Sequence, residues 1–385
     1  MRIYGTDNVW EAARKRVAWV FDEFENVAVA FSGGKDSTVV LNLCLYEARA
    51  RGRLPLPVMF IDQEAEWTEA INYVRDVMND PDVKPYWLQC PLEINNSTST
   101  IDDMLHIWAE GEQWLRPKEA NTIHDNPYGT LDFYDMFRAW LAYTYKDAPA
   151  CLVGGLRAEE SPNRSLALTA TKTYKHVTWG KIQDARKHHY TFYPIYDWTY
   201  KDVWKSIHEH GWQYCKIYDR MYQQGVSPFN MRVSNLHHET SVGWLEIAQE
   251  LDREIWNALT QRLSGINTYK HLNRDGHTCP KKLPEAFASW IEYRDYLSEK
   301  LIVDSGKRDK WKTYIAGIDQ TYSAMKNYDA AIRVQINALL VDDLGYHAKE
   351  STKIANWKNS HLVKEWLAWK NDNRPPKVYN KYIFG

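Results

Sequence analysis

Along the first part of the chain, short uncharged stretches alternate with amphipathic ones. Residues 8–25 (N-V-W-E-A-A-R-K-R-V-A-W-V-F-D-E-F-E) carry apolar side chains at helical intervals, with Trp10, Val17, Val20 and Phe21 on one face. Val27–Phe31 is β-branched and uncharged, the pattern of a strand buried on both sides. Thr38–Arg51 then predicts a helix, Pro57–Asp62 a second strand, Glu66–Met78 a helix and Pro85–Gln89 a third strand. Cys151–Val153 predicts a fourth strand, closed by Gly154 and Gly155. Strands that alternate with helices define an α/β fold, with a parallel sheet covered on both faces. Between the third and fourth strands, about residues 95–147 form a long insertion, helical in pattern and rich in Trp, Tyr and Phe. After about residue 235 the strand patterns fade and amphipathic helices follow. The expected domains are therefore 1–235, the α/β part, and 236–385, an α-helical C-terminal part in which Asn267–Pro284, with two prolines and a glycine, is expected to be a loop.

Bulk composition narrows the class. The 385 residues are 44% hydrophobic and 25% charged, with a net charge of −2. Such a balance is ordinary for globular proteins and gives no global field for nucleic acid or an anionic membrane. With no apolar run long enough to span a bilayer and no apolar signal core, a soluble, cytoplasmic protein without membrane partners is expected. The five cysteines (Cys44, Cys90, Cys151, Cys215 and Cys279) include no C-x-x-C pair. This scatter argues against a disulfide framework and against an iron–sulfur cluster. Cys44, Cys90 and Cys151 sit in apolar stretches, where a free thiol behaves as a small hydrophobe.

The sharpest feature is V-A-V-A-F-S-G-G-K-D-S-T-V-V, residues 27–40. A strand ends in a two-glycine turn and a helix begins near Ser37. The first turn of a helix offers unpaired N–H groups and a positive dipole end. Gly33 and Gly34 let the backbone approach an anion closely. Lys35 adds a charge, Ser32 and Ser37 add hydroxyls, and Asp36 can meet a magnesium ion or cap the helix. The spacing excludes the Walker A loop and the dinucleotide fingerprint. A glycine turn without a ligand is the competing reading.

The same stretch resembles the PP-loop of the adenine nucleotide α-hydrolase-like superfamily. That superfamily holds the N-type ATP pyrophosphatases and the sulfonucleotide (PAPS/APS) reductases. The resemblance implies a Rossmann-like core whose loop grips phosphates of an adenine nucleotide. Three further stretches resemble the PAPS-reductase branch. In V-M-F-I-D-Q-E-A-E-W-T-E, Asp62, Trp67 and Glu69 fall on the branch's positions, although D-Q-E stands where D-T-G is usual. In G-G-L-R-A-E-E-S-P-N-R-S, Gly155, Arg157, Glu160, Ser161 and Arg164 match, and arginine forks after a strand suit phosphate or sulfate. In Y-P-I-Y-D-W-T-Y-K-D-V-W, Pro194, Asp197, Trp198, Thr199, Asp202 and Trp204 match, with Asp197 and Thr199 placed to cap a helix. A nucleotide site is thereby expected at Ser32, Gly33, Gly34, Lys35, Asp36, Ser37, Asp62, Gly155, Arg157, Glu160 and Arg164. Lys35, Asp36, Arg157 and Arg164 carry the chemistry, and Asp36 or Asp62 meets magnesium.

The resemblance also breaks. A sulfonucleotide reductase attacks with a cysteine near its C-terminus, and here no cysteine follows Cys279. Cys279, beside His277, Lys281 and Lys282, is the one cysteine outside the apolar core pattern that can serve as a nucleophile. His271, His277 and Cys279, with His237 or His238, leave a metal reading open, although their spacing matches no common zinc pattern. ATP pyrophosphatase-type chemistry needs no cysteine and is the leading expectation. A PAPS-using reductase and a nucleotide-sensing regulator are the alternatives. The last follows from resemblance to a mobile-element branch that includes a prophage co-activator, which implies a ParB-like protein partner. The stretch M-R-V-S-N-L after residue 230 fits that branch. Arg116 and Lys118 are candidates for a 3′-phosphate. The lysines and aromatic residues of 349–385 leave nucleic-acid binding open against a buried amphipathic helix.

Overall fold

A computed structural model describes residues 6–96, 104–233, 235–237, 245–263, 280, 282–302, 305–322 and 328–340. The chain divides into two compact units, one of Met1–Ile94, Met104–Leu236 and Ile247–Ala258, the other of Asn95–Asp103, His237–Glu246 and Leu259–Gly385.

The first unit opens with helix α1 (Val9–Glu23), whose amino end is closed by a reciprocal pair of hydrogen bonds between Asn8 and Glu11. Its buried face is Ala13, Val17, Val20 and Phe21. Then come β1 (Asn26–Ala30), α2 (Lys35–Ala50), β2 (Leu56–Ile61), α3 (Thr68–Met78) and β3 (Val83–Leu88). These elements follow the periodicity closely. α2 starts at Lys35 rather than near Ser37, because Gly34 takes the extended N-cap conformation without any side-chain cap.

The insertion is mixed rather than wholly helical. β4 (Leu92–Asn95) and β5 (Met104–Ile107) pair as a two-stranded ribbon, and one helix, α4 (Phe133–Tyr145), follows. M-L-H-I alternates exposed and buried positions, the strand period of two. After β6 (Ala150–Gly154) and α5 (Pro162–Thr169), two strands appear that periodicity does not announce: β7 (Gly180–Asp184) and β8 (His189–Phe192). Helices α6 (Tyr200–Glu209) and α7 (Ile217–Gln223) complete this stretch.

The sheet order is β3-β2-β1-β6-β8-β7, parallel throughout except for the edge strand β7. This is a Rossmann-like arrangement. From β1 the chain builds outward through β2 and β3, then returns to place β6 on the other flank of β1, with Val27 opposite Cys151. The order reverses between β1 and β6, and the loops after those two strands open at the same edge. In doubly wound sheets this switch point is where ligands bind.

The remaining helices are α8 (Leu245–Leu251), α9 (Arg253–Arg262), α10 (Trp290–Leu301), α11 (Ser305–Tyr322) and α12 (Tyr328–Leu340). In the second unit, Arg294 of α10 is 1% exposed and donates to Asp319 of α11 at 2.8 and 2.7 Å and to Gln335 of α12 at 3.0 Å. A buried guanidinium thus ties three helices together, its charge met by carboxylates. No helix among the described residues is long and apolar enough to cross a membrane.

Candidate functional site

The loop after β1 is Phe31–Gly34, and helix α2 begins at once. Gly33 has φ +71°, the left-handed region that glycine enters without penalty. The two serines brace the turn. Ser37 Oγ accepts from the Ser32 N–H at 3.2 Å, lies 3.0 Å from Ser32 Oγ and donates to the Gly34 carbonyl at 2.9 Å. Lys35 is buried. Its Nζ donates to the Met231 carbonyl at 3.0 Å and faces Asp36 Oδ2 at 3.3 Å. An ammonium group has three N–H donors, so one is left to meet an anion.

The loop after β6 closes on this turn. Gly155 lies so near the first turn of α2 that an added Cβ would stand 2.7 Å from the Asp36 carbonyl carbon and from Ser37 N. Arg157, 4% exposed, donates through Nε to Asp36 Oδ1 at 2.5 Å and through an amino group to Glu159 at 2.9 Å. Arg164, on α5, pairs with Glu160. The structure therefore groups Lys35, Arg157 and Arg164 with Asp36, Glu159 and Glu160, three cations against three anions. Formal charge cancels, and the N–H groups at the amino end of α2 supply the positive potential.

Asp62 is placed differently. At the end of β2 it is fully buried and accepts from Trp87 Nε1 at 2.8 Å, Gln89 Nε2 at 3.0 Å and the Glu64 N–H at 3.0 Å, besides pairing with Arg116. Arg116 also lies 5.0 Å from the Trp108 ring centre, and Lys118 sits 4.6 Å from that of Trp114. Arg116 is thus turned inward to Asp62. Nor do Asp36 and Asp62 fit a magnesium site as placed. Both oxygens of Asp36 face cations, and those of Asp62 take four donor groups. Among the described residues no cluster of three or more His, Cys, Asp or Glu is set for a metal.

The D-W-T stretch is architectural. Thr199 caps α6 in a reciprocal pair with Asp202, and Val203 and Ile207 form the buried face. Asp197 accepts two hydrogen bonds from Arg16, at 2.8 and 2.7 Å. The four described cysteines are buried. Burial pushes every one of their thiols up, Cys90 to about 11 and Cys215 to about 12. None is a ready thiolate at neutral pH. Cys279, His271, His277, His238, Lys281 and the tail 349–385 lie outside the described residues.

Several neighbours of the loop escape sequence reading. Tyr218 of α7, fully buried, accepts from the Lys35 N–H through its hydroxyl at 3.0 Å. The stretch from Met231 folds back over the loops: Met231 receives Lys35, the Asn235 amide bonds Gln63, and the Leu236 N–H donates to the Ala65 carbonyl at 2.7 Å. Glu66, 5% exposed, has its carboxyl pushed up to about 8, first by burial and then by the Asp62 charge. The one available signal was the spacing of Tyr214, Tyr218 and Tyr222, every fourth residue.

A strand–glycine turn–helix at the switch point, answered by a glycine and an arginine from the next parallel strand, defines a PP-loop nucleotide-binding fold. The profile of the phosphoadenosine phosphosulfate reductase domain matches residues 26–224, just over half of the chain, and the chain belongs to that family. It is 32% identical over 302 residues to the uncharacterized protein YbdN of Escherichia coli (strain K12), covering 74% of this chain and 73% of YbdN. It is 22% identical over 209 residues to sulfate adenylyltransferase subunit 2 of Shewanella pealeana (strain ATCC 700345 / ANG-SQ1), covering 51% of this chain and 61% of that protein. Against the solved FMN adenylyltransferase of Candida glabrata the identity is 14% and the TM-score 0.35, over 56% of this chain and 62% of that one.

Proposed function

We propose that the chain binds ATP and cleaves it at the α-phosphorus, releasing pyrophosphate and passing the adenylyl group to an acceptor oxygen. The observation that carries this reading is the amino end of α2, set at the switch point between a left-handed Gly33 and the close-packed Gly155. In this reading the N–H groups of the turn and the Ser32 hydroxyl hold the departing pyrophosphate, joined by the Ser37 hydroxyl once it turns from the Gly34 carbonyl, and Lys35 offsets the charge. Arg157 keeps Asp36 in place, and Arg164, the more exposed of the two arginines, meets a terminal phosphate or the acceptor. Glu160 and Gly155 position those arginines. Attack by the acceptor forms one O–P bond as the bond to the β-phosphate breaks. Positioning and charge stabilisation suffice, which agrees with the buried state of the described cysteines. The name of the Shewanella relative, an adenylyltransferase subunit, supports the same chemistry.

The test is calorimetric titration of the full chain with ATP and with PAPS, magnesium present, followed by assay of pyrophosphate. ATP is expected to bind and to release pyrophosphate. Lys35→Ala should weaken binding roughly ten-fold or more, the loss of one charge-assisted contact to phosphate. ATP binding without pyrophosphate release would point to the sensing regulator, and binding of PAPS alone to the reductase. Failure of every adenine nucleotide to bind would overturn the reading.

A further inference from the structure

A cavity of about 440 Å3 lies within the first unit, and five aromatic side chains line it: Tyr200, Trp204, Tyr214, Tyr218 and Tyr222. Small-molecule sites run from roughly 300 to 1,000 Å3. Trp204 meets Tyr214 edge-on at 5.4 Å and Tyr218 edge-on at 5.1 Å, so the aromatic wall is itself well packed. The Nε1–H of Trp204 is buried and has no hydrogen-bond partner. A buried donor left unpaired is costly, and a ligand acceptor removes that cost. Two charged residues join the lining. Asp219 is engaged, accepting from the Tyr214 hydroxyl at 2.7 Å and facing Lys216 at 3.9 Å. Lys201 is exposed and enters no ion pair among the described residues.

We propose that this cavity is a second ligand site, for a small planar heteroaromatic anion. The ring lies among the aromatic side chains, a ring acceptor takes the Trp204 N–H, and the anionic group faces Lys201. The site adjoins the phosphate loop, since Met231 of its lining accepts from the Lys35 ammonium through its carbonyl, and the proposal places the ligand outside that loop. Tyr218 stands between the two, its ring in the cavity wall and its hydroxyl on the Lys35 N–H. The inference does not depend on which nucleotide the loop takes.

Three probes isolate the three features: quinoline-6-carboxylate, 2-naphthoate, which lacks the ring acceptor, and quinoline, which lacks the charge. Calorimetric titration of the full chain should find quinoline-6-carboxylate the tightest at one site per chain. Trp204→Phe, which keeps a ring in place, should erase its advantage over 2-naphthoate, about five-fold for one hydrogen bond. Lys201→Ala should erase its advantage over quinoline by a few-fold, the scale of an exposed ion pair, while quinoline itself binds unchanged and so shows the cavity intact. Saturating ATP should leave the site available. The proposal is overturned if no probe binds, if the two variants bind the probes as the parent chain does, or if ATP displaces the probes competitively, which would make the cavity the nucleotide's own base pocket.

Discussion

Replacing Gly155 with alanine is expected to destabilise the first unit by roughly 3 kcal/mol and to abolish nucleotide binding. The added Cβ would stand 2.7 Å from the Asp36 carbonyl carbon, 2.7 Å from Ser37 N and 2.9 Å from the Asp36 carbonyl oxygen. These are backbone atoms of the first turn of α2, and no rotamer change moves them aside. The end of β6 and the start of α2 would have to separate, although β1 and β6 are held in register from Asn26 to Ala30. A shift of this kind displaces the N–H groups proposed to hold phosphate, and an error of about 1 Å in such a site costs on the order of 100-fold. Gly34→Ala is the control. Its Cβ would meet only the side-chain tips of Ser32 and Tyr218, at 3.3 and 3.5 Å, in extended backbone that any residue adopts. That variant should lose less than about 1 kcal/mol. Urea unfolding and ATP titration of the two variants measure the contrast, and equal behaviour would refute the close-approach account.

What could be read in advance follows the range of the interactions. β1, β2 and β6 are buried on both sides, so their composition alone marks them, whereas β3 is an edge strand with Lys84 and Pro85 exposed; the loop after β1 carries its own glycines and hydroxyls. Strand β7 is an edge strand with Lys181 and Lys181's neighbour Ile182 exposed, so no apolar run announces it. The partners inside the site were out of reach for a different reason. Asp36 finds Arg157 across 121 residues, Asp62 finds Arg116 across 54, and Lys35 finds the Met231 carbonyl across 196. Sequence marks each as a charged residue near a strand end, the usual position of ligand contacts. It does not mark which charges cancel one another. Asp62 shows the consequence: its place at the end of β2 suggests a metal ligand, while its four donor groups, Arg116 of the insertion among them, make it a buried structural carboxylate.

Glu66→Gln is expected to remove a contribution of Glu66 to stability that is lost in the parent chain as pH rises from about 4.5 to about 8. Glu66 is 5% exposed, and burial first, then the neighbouring Asp62 charge, push its carboxyl up from 4.5 to about 8, while Arg116 and the Gln63 N–H pull the other way. Unfolded, the same carboxyl titrates near its ordinary value. Between the two values the native state holds a proton that the unfolded state has released, so the slope of unfolding free energy against pH is negative. This contribution is full below pH 4.5, shrinks steadily toward pH 8 and is constant above it. Glutamine reproduces the shape and hydrogen-bonding capacity of the protonated acid without the titration. Relative to the parent chain, the variant should therefore gain stability with pH, by on the order of 2–4 kcal/mol between pH 5 and pH 8. Urea unfolding of both proteins at pH 5, 6.5 and 8 reads the difference, and parallel pH profiles would show that Glu66 is ionised in the native state. The carboxyl stands on the loop between β2 and α3, where the Leu236 N–H and the Asn235 amide fasten the stretch from Met231. Ionising it loads charge into the segment that also presents the Met231 carbonyl to Lys35. ATP affinity should accordingly weaken above pH 8 in the parent chain and hold in Glu66→Gln, which ties the pH response of the fold to the phosphate loop itself.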